Sequence, residues 1–486
     1  MLPTNLPNLS TAVSLPHEGA TADRLRQLID DNKVQAAQLE DLARSLGVAK
    51  SVVPARLDIF HQYIGVFLAA FLVAIIATPI MRRLAIANGI VDKPDDPRKL
   101  HKFPIAYMGG VGVYLGIVAG IMFSYLAPLH GLLTFHATTH VDADGGVIRV
   151  PLSILGGLTI IMLVGLLDDV LNISPWQKIG GQLLAAAFLA MEDVGTKVAL
   201  QVLAPIGNLL HNPTLRWDIP LGFDVPLFGS HIPIDVVYWT GTAIIAVFVL
   251  GACNATNLID GLDGLASGVT AIASGGLLMV SLWLAAADSG PLDSARVVIC
   301  LALLGACLGF LPHNFNPAVI FLGDCGSLLL GFATIVIVIT LGDQGRTDLV
   351  LAGLIIYAIP IIDTVLAIVR RKLSRKRISD GDDQHLHHMF KRTLGVKGAV
   401  FSLYGIGIGF ALLGVWLAMS KARVTYALAM VFALFICVIA IKVARRKAFE
   451  EEVVARYGNA GSAADARSMA PPRNGAAAPA AAPPAA

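Results

Sequence analysis

Charged side chains are scarce in this sequence of 486 residues, of which only 14% are charged and 56% are hydrophobic. Soluble globular proteins carry about 25% charged residues. The composition therefore excludes an ordinary soluble domain and indicates a membrane protein. The formal net charge of +2 gives no sign of the basic surface that nucleic-acid binding requires, so nucleic acid is not an expected partner.

Cysteine is rare as well, and the sequence shows no internal repeat of fixed period. The five cysteines lie in or beside apolar segments, and their spacing fits neither a zinc site nor a disulfide scaffold. We expect them to be small buried side chains. The first 58 residues lack the apolar core that a signal peptide needs near its start.

Long apolar runs are what the sequence has in abundance. They are long enough, or nearly so, to cross a hydrocarbon core of about 30 Å. Because backbone polar groups in lipid must be satisfied within the segment, the runs predict helices. We therefore predict an all-α polytopic integral membrane protein with about eleven transmembrane helices. The runs are residues 63–81, 108–126, 152–167, 179–191, 237–253, 265–286, 297–311, 328–341, 350–369, 399–419 and 426–443.

The sequence divides into three parts around these runs. Residues 1–58 form a polar extension with helical periodicity at 21–46, and residues 59–445 form the membrane domain. Residues 446–486 are rich in Ala and Pro and are predicted to be a disordered tail. Within the membrane domain, residues 216–234 alternate in polarity around Gly and Asp, which predicts a small external β-hairpin.

Lys and Arg are concentrated in two connecting loops, residues 82–102 and 370–397. Loops rich in Lys and Arg face the cytoplasm. The distribution therefore predicts an external N-terminus and a cytoplasmic C-terminus. Five clusters of polar residues fall at the predicted cytoplasmic ends of the spans. They are Asp92, Arg98, Lys99 and His101; Asp168 and Asp169; Asn254, Asn257, Asp260 and Asp263; His313, Asn314, Asn316 and Asp324; and Asp382, Asp383, His385, His387 and His388.

Carboxylates near a bilayer are unfavourable unless they face protein, water or an ion. Several at one depth indicate a shared cation, and carboxylate oxygens together with substrate phosphates suit Mg²⁺. Basic side chains suit phosphate oxygens, so the clusters indicate a phosphoryl-transfer site on the cytoplasmic face. Taken singly, each aspartate could instead be a helix cap. Asp363 lies inside a predicted span, where a functional role and a structural hydrogen bond are both open.

Five strings in the sequence resemble those of one family. They are "DKPDDPRKLHKFPIAYMGG", "GLLDDVLNISPWQK", "NATNLIDGLDGLASG", "FNPAVIFLGDCGSLLLG" and "HLHH". In this order they resemble the polyprenyl-phosphate N-acetylhexosamine-1-phosphate transferases, the superfamily of MraY and the WecA/TagO-type enzymes. The resemblance covers residues 63–443. It implies an enzyme that transfers a sugar 1-phosphate from a UDP-activated N-acetylhexosamine to undecaprenyl phosphate and releases UMP. The location that the resemblance implies is a bacterial inner membrane.

The resemblance also implies roles for individual residues. Catalytic roles fall to Asp168, Asp169, Asp260, Asp263, His385, His387 and His388. Substrate contacts fall to Lys99, His101, Asn254, Asn257, Asn314 and Phe321, the last stacking on uracil. The implied cofactor is Mg²⁺, with Mn²⁺ as an alternative, bound by Asp324, Asp168 and Asn257. The expected partners are the UDP-sugar, the lipid phosphate and the membrane, with a homodimer left open.

Two departures bear on the choice of sugar. The MraY pattern has Lys where this chain has Asn172, and it has three consecutive histidines where this chain has "HLHH". Both favour the WecA/TagO side and UDP-N-acetylglucosamine, although Asn172 also differs from the acidic residue expected there. The phospho-MurNAc-pentapeptide transferases remain the alternative within the superfamily. A secondary transporter is the alternative from another class, and one that usually places its site near the midplane between repeated halves.

Overall fold

The computed structural model describes residues 56–92, 104–127, 150–225, 229–287, 289–290, 292–373 and 385–453. The N-terminal extension, apart from its last residues, and the tail beyond residue 453 lie outside these ranges. So do Arg98, Lys99, His101, Asp382 and Asp383. The helices are α1 (Arg56–Ala87), α2 (Gly109–Leu126), α3 (Leu152–Leu171), α4 (Pro175–Met191), α5 (Ala199–Leu209), α6 (Val236–Ile259), α7 (Leu265–Ala286), α8 (Asp293–Asn314), α9 (Gly323–Thr340), α10 (Thr347–Ile356), α11 (Ala358–Leu373), α12 (Leu386–Ala418) and α13 (Ala422–Val453).

The all-α membrane architecture is confirmed, and every predicted apolar run overlaps a helix. Within the described residues, eight helices are long and apolar enough to cross a membrane, or nine if a bent pair counts as one span. The other two predicted spans correspond to shorter apolar stretches. Helix α4 has 17 residues, which at 1.5 Å per residue is about 26 Å and falls short of the hydrocarbon core.

The predicted span at 350–369 is wrong as a single helix. Helices α10 and α11 meet at Tyr357 with a bend of 81°. Pro360 explains the break, because a proline ring clashes with the carbonyl group four residues earlier, here that of Ile356. The Tyr357 hydroxyl contacts that of Thr256 on α6, so the break is fixed to a neighbouring helix.

Helices α8 and α9 are the most enclosed of the spans. Small residues let the surrounding helices approach closely. A Cβ atom at Gly116 of α2, for example, would lie 2.8 Å from the Cβ atom of Ala74 on α1. The enclosed position of α9 brings its N-terminal turn between the ends of α3, α4 and α6.

Two short antiparallel sheets complete the described part of the fold. Strand β3 (Arg216–Val225) pairs with β4 (Gly229–Asp235), which confirms the predicted hairpin. Strand β1 (Val91–Asp92) pairs with β2 (Ile105–Ala106). The chain that leads into α9 is hydrogen-bonded to β2 and to the first residue of α2. Phe321 N donates to Ala106 O at 2.8 Å, and Gly109 N donates to Phe321 O at 3.0 Å.

Candidate active site

The centre of the site is an ammonium group between two carboxylates. Lys178 Nζ lies 2.6 Å from Asp168 Oδ2 and 2.7 Å from Asp324 Oδ2. Asp168 belongs to the last turn of α3, Lys178 to the start of α4 and Asp324 to the first turn of α9. Asn172 ends α3 in the left-handed region with φ 52°. This reversal lets α4 return beside α3 and places Lys178 next to Asp168.

Asp169 makes a different set of contacts from its neighbour. Its Oδ1 accepts from the backbone N–H of Asp324 at 2.8 Å, and its Oδ2 accepts from that of Cys325 at 3.0 Å. These are the amides at the N-terminus of α9, where orphan donors and the helix dipole favour a carboxylate. Gly323 has φ 72°, and a Cβ atom there would lie 2.5 Å from Asp169 Oδ2. Asp169 therefore fixes the turn that carries Asp324.

The other carboxylate oxygen of Asp324, Oδ1, accepts a hydrogen bond from a residue of α6. Asn257 Nδ2 donates to Asp324 Oδ1 at 2.8 Å and to Ser327 Oγ at 3.0 Å. Asn254, a predicted substrate contact, points elsewhere, because its amide nitrogen donates to Gln182 Oε1 at 3.0 Å. Asn257 therefore belongs to the Asp324 environment, and Asn254 joins α6 to α4.

A loop of residues 260–264 follows α6 and carries two more of the predicted carboxylates. Burial, together with the neighbouring carboxylates of Asp324, Asp169 and Asp263, raises the pKa of Asp260 to about 8. Desolvation is the largest cause of this shift, and the nearby carboxylates contribute to it. A cation bound beside them would favour the ionised form of Asp260.

The remaining polar residues hold the 260–264 loop against the chain before α9. Asp263 Oδ2 accepts from Asn316 Nδ2 at 2.8 Å and from Ala318 N at 3.1 Å. The buried Asn314 side chain accepts from Gly264 N at 3.0 Å and donates to Ile320 O at 3.1 Å. Both side chains thus organise loops in this structure. Phe321 is only partly buried and its ring lies 6.0 Å from that of Tyr107.

The histidine motif lies beside the same loop. His387 is 2% exposed and packs so closely on Gly261 that a Cβ atom there would collide with the imidazole ring. The ring of His388 is 4.2 Å from that of His387, and the ring of His385 is 5.6 Å from it. The histidines and Asp260 therefore border one region.

Two residues that contact predicted site residues, Lys178 and Asp363, were given no definite role by the sequence analysis. Lys178 stands inside the "GLLDDVLNISPWQK" string, but its pairing with Asp324 depends on a contact across 146 positions. Asp363 was left between two interpretations, and its partners are His385 and Leu386. The sequence signal for Lys178 was its position as a basic residue one turn into the helix that follows Asp168 and Asp169.

The carboxylate oxygens of the site suit a magnesium ion whose other ligands come from the phosphates of a substrate. Among the residues described, no group of three or more His, Cys, Asp or Glu side chains forms a metal cage. Two carboxylates from different helices, Asp168 and Asp324, nevertheless converge on one cation, the Lys178 ammonium. Mg²⁺ is usually bound by one or two carboxylates plus phosphates, so the arrangement suits it.

Comparisons with known proteins agree with this chemistry. The glycosyl transferase family 4 model matches residues 151–342. A probable undecaprenyl-phosphate N-acetylglucosaminyl 1-phosphate transferase of Bacillus subtilis is 30% identical over 76% of this chain and 88% of its own length. A decaprenyl-phosphate N-acetylglucosaminephosphotransferase of Mycolicibacterium smegmatis is 32% identical over 66% of this chain and 73% of its own.

A phospho-N-acetylmuramoyl-pentapeptide-transferase of Staphylococcus epidermidis is also similar, at 28% identity over 74% of this chain and 99% of its own length. The family model spans the helices that carry Asp168, Lys178 and Asp324. The chain is thus a multi-pass membrane enzyme that transfers a sugar 1-phosphate, and it belongs to the polyprenyl-phosphate N-acetylhexosamine-1-phosphate transferases of glycosyl transferase family 4.

Proposed function

We propose that the enzyme transfers N-acetylglucosamine 1-phosphate from UDP-N-acetylglucosamine to undecaprenyl phosphate and releases UMP. The observation that carries the proposal is the meeting of Asp168, Lys178 and Asp324, a charged site at one end of apolar helices. Two of the relatives above are named for N-acetylglucosamine and a polyprenyl phosphate. The "HLHH" string and Asn172 favour the same sugar. The basic loops favour a cytoplasmic site in a bacterial inner membrane.

The reaction joins two anions. A lipid phosphate oxygen attacks the phosphorus atom that bears the sugar, and the bond from that phosphorus to the bridging oxygen breaks, so UMP leaves with the bond electrons. The attacking monoester has a second pKa of about 6 and is mostly dianionic at neutral pH. It therefore needs little help from a base, and the main barrier is electrostatic repulsion.

Residues of this chain reduce the repulsion between the lipid phosphate and the diphosphate. Asp168 and Asp324 would hold Mg²⁺, which when bound neutralises phosphate charge and stabilises the leaving group. Lys178 contributes a positive charge at the same place, and it keeps the two carboxylates together. Both oxygens of Asp169 are engaged by amides of α9. These two contacts assign Asp169 to positioning Asp324.

The assay that tests the proposal uses detergent-purified protein, labelled UDP-N-acetylglucosamine, undecaprenyl phosphate and Mg²⁺. We expect organic-extractable label together with an equal amount of UMP. Chelation with EDTA should abolish the labelled lipid and the UMP, because without Mg²⁺ the carboxylates would repel the diphosphate. Added Mg²⁺ should restore both products. Product from UDP-MurNAc-pentapeptide alone would establish the alternative sugar. Absence of product with every UDP-N-acetylhexosamine tested would overturn the proposal.

Lys178→Met is expected to lower kcat by about 100-fold, since it removes one preorganised positive charge while keeping the length of the side chain. The loss should be measured as UMP release over a range of Mg²⁺ concentrations. Lys197→Met is the matched control, because Lys197 lies 3.7 Å from Asp343 beyond the far end of α4. Equal rates for the two variants would contradict a role for Lys178 in transfer.

A further inference from the structure

Asp363 is a fully buried carboxylate in α11, the second arm of the broken span. Its Oδ2 lies 2.8 Å from His385 Nδ1, and its Oδ1 accepts from the backbone N–H of Leu386 at 2.7 Å. An ionisable group within a span is unfavourable without such partners. Both partners belong to the start of the histidine motif, so the carboxylate connects α11 to that motif directly.

The two contacts fix two properties of the motif. An ionised carboxylate only accepts hydrogen bonds, so His385 carries a proton on Nδ1 and the ring has one orientation. The contact with Leu386 N satisfies an orphan donor at the first residue of α12, as a capping side chain does. One side chain therefore sets the tautomer of His385 and the position at which α12 begins.

The rings of the histidine motif connect His385 to the 260–264 loop. The ring of His385 is nearly parallel to that of His387, with 10° between their planes. His387 packs on Gly261, next to Asp260. Both ring nitrogens of His387 are buried and have no hydrogen-bond partner among the described residues. Buried polar atoms of this kind are normally satisfied, so this ring is placed to meet a polar ligand.

We propose that Asp363 is a positioning residue for the transfer reaction, a carboxylate that orients the histidine motif against the 260–264 loop through His385. The inference rests on the proposed function. It also joins the two interpretations that the sequence left open for Asp363, because the structural hydrogen bond is the means by which the residue serves the site.

Asp363→Asn is the first test. The Asn oxygen can still accept from Leu386 N, but its NH₂ group then faces His385 Nδ1 and requires the opposite tautomer. We expect kcat to fall about 10- to 100-fold, as for loss of a group that orients a functional histidine, with KM for the UDP-sugar little changed. Asp363→Glu keeps the charge and should recover part of the rate.

Asp348→Asn is the matched control, and it is expected to retain kcat within about twofold. Asp348 lies in α10, the other arm of the same span, where it is buried and accepts from Arg346 at 3.1 and 2.8 Å. A general sensitivity of the span to loss of a paired carboxylate would affect both variants. A positioning role affects only Asp363.

A double-mutant cycle tests whether Asp363 acts through His385. In a His385→Gln background, Asp363→Asn should change kcat by less than about twofold, because residues that act as one unit give non-additive losses. Full additivity would overturn the inference. If the Asn variant does not fold, the cycle is run with Asp363→Glu, and full additivity of that change with His385→Gln would likewise count against the inference.

A chemical readout separates this inference from the proposed function. Diethylpyrocarbonate followed by mass spectrometry should modify the exposed His211 but not His385, which is 5% exposed, and Asp363→Asn should make His385 reactive. Equal reactivity of the two histidines in wild type would overturn the inference. Absence of transfer by wild type would overturn the proposed function and the positioning role with it. Wild-type transfer with an equally active Asp363→Asn variant would overturn the positioning role alone.

Discussion

Replacing Asp324 by Asn is expected to abolish turnover, with kcat reduced by about 1000-fold or more. The substitution keeps the shape of the side chain but removes the charge that faces Lys178 at 2.7 Å. It also removes one of the two carboxylates proposed to hold Mg²⁺. Lys178 would then pair with Asp168 alone, and the diphosphate would meet an incomplete site.

The effect is measured as UMP release by purified protein at saturating Mg²⁺ and lipid phosphate. Asp343→Asn is the control, since Asp343 is a buried aspartate just past the other end of the same helix, 3.7 Å from Lys197. The loss for Asp324→Asn should also exceed that for Asp363→Asn, because Asp324 faces the reacting groups and Asp363 acts through a histidine. Wild-type turnover by the Asp324→Asn protein would refute the metal site.

The positions of the spans could be predicted from sequence because lipid imposes one simple rule on the backbone. Every apolar run of sufficient length had to become a helix. The break at Tyr357 was missed because Pro360 changes the backbone without changing the hydropathy of the run. The run at 179–191 missed the first turn of α4, because Gln177 and Lys178 are polar although the helix already begins at Pro175 after the Ser174 cap.

The site was harder to predict because its contacts join residues far apart in the chain. Composition indicated that carboxylates would collect at one end of the spans, but it could not show that Asp168 and Asp169 diverge. Adjacent residues on a helix point in different directions, and here one reaches Lys178 while the other reaches the amides of α9. The pair is therefore one sequence signal with two physical roles.

That division of roles leads to the second large expected effect. Asp169→Asn should lower kcat by about 100-fold or more, because Asn has one acceptor oxygen for two backbone N–H groups and presents its own NH₂ to the other. The lost capping contact should also destabilise the turn by about 1 kcal/mol. Asp324 would shift with the turn, so the Mg²⁺ concentration needed for half-maximal rate should rise.

Gly323→Ala provides a comparison at the same junction, because it keeps both carboxylate groups while disturbing the turn that Asp169 holds. The residue has φ 72°, and an added Cβ atom would lie 2.5 Å from Asp169 Oδ2. If Asp169 works by holding α9, the alanine variant should show the same fall in kcat and the same increased need for Mg²⁺. If Asp169 instead accepted a proton, the Asp169→Asn enzyme would recover its rate at higher pH, where the lipid phosphate is fully dianionic. Such a recovery, or a Gly323→Ala enzyme with wild-type rate and Mg²⁺ requirement, would contradict the positioning role.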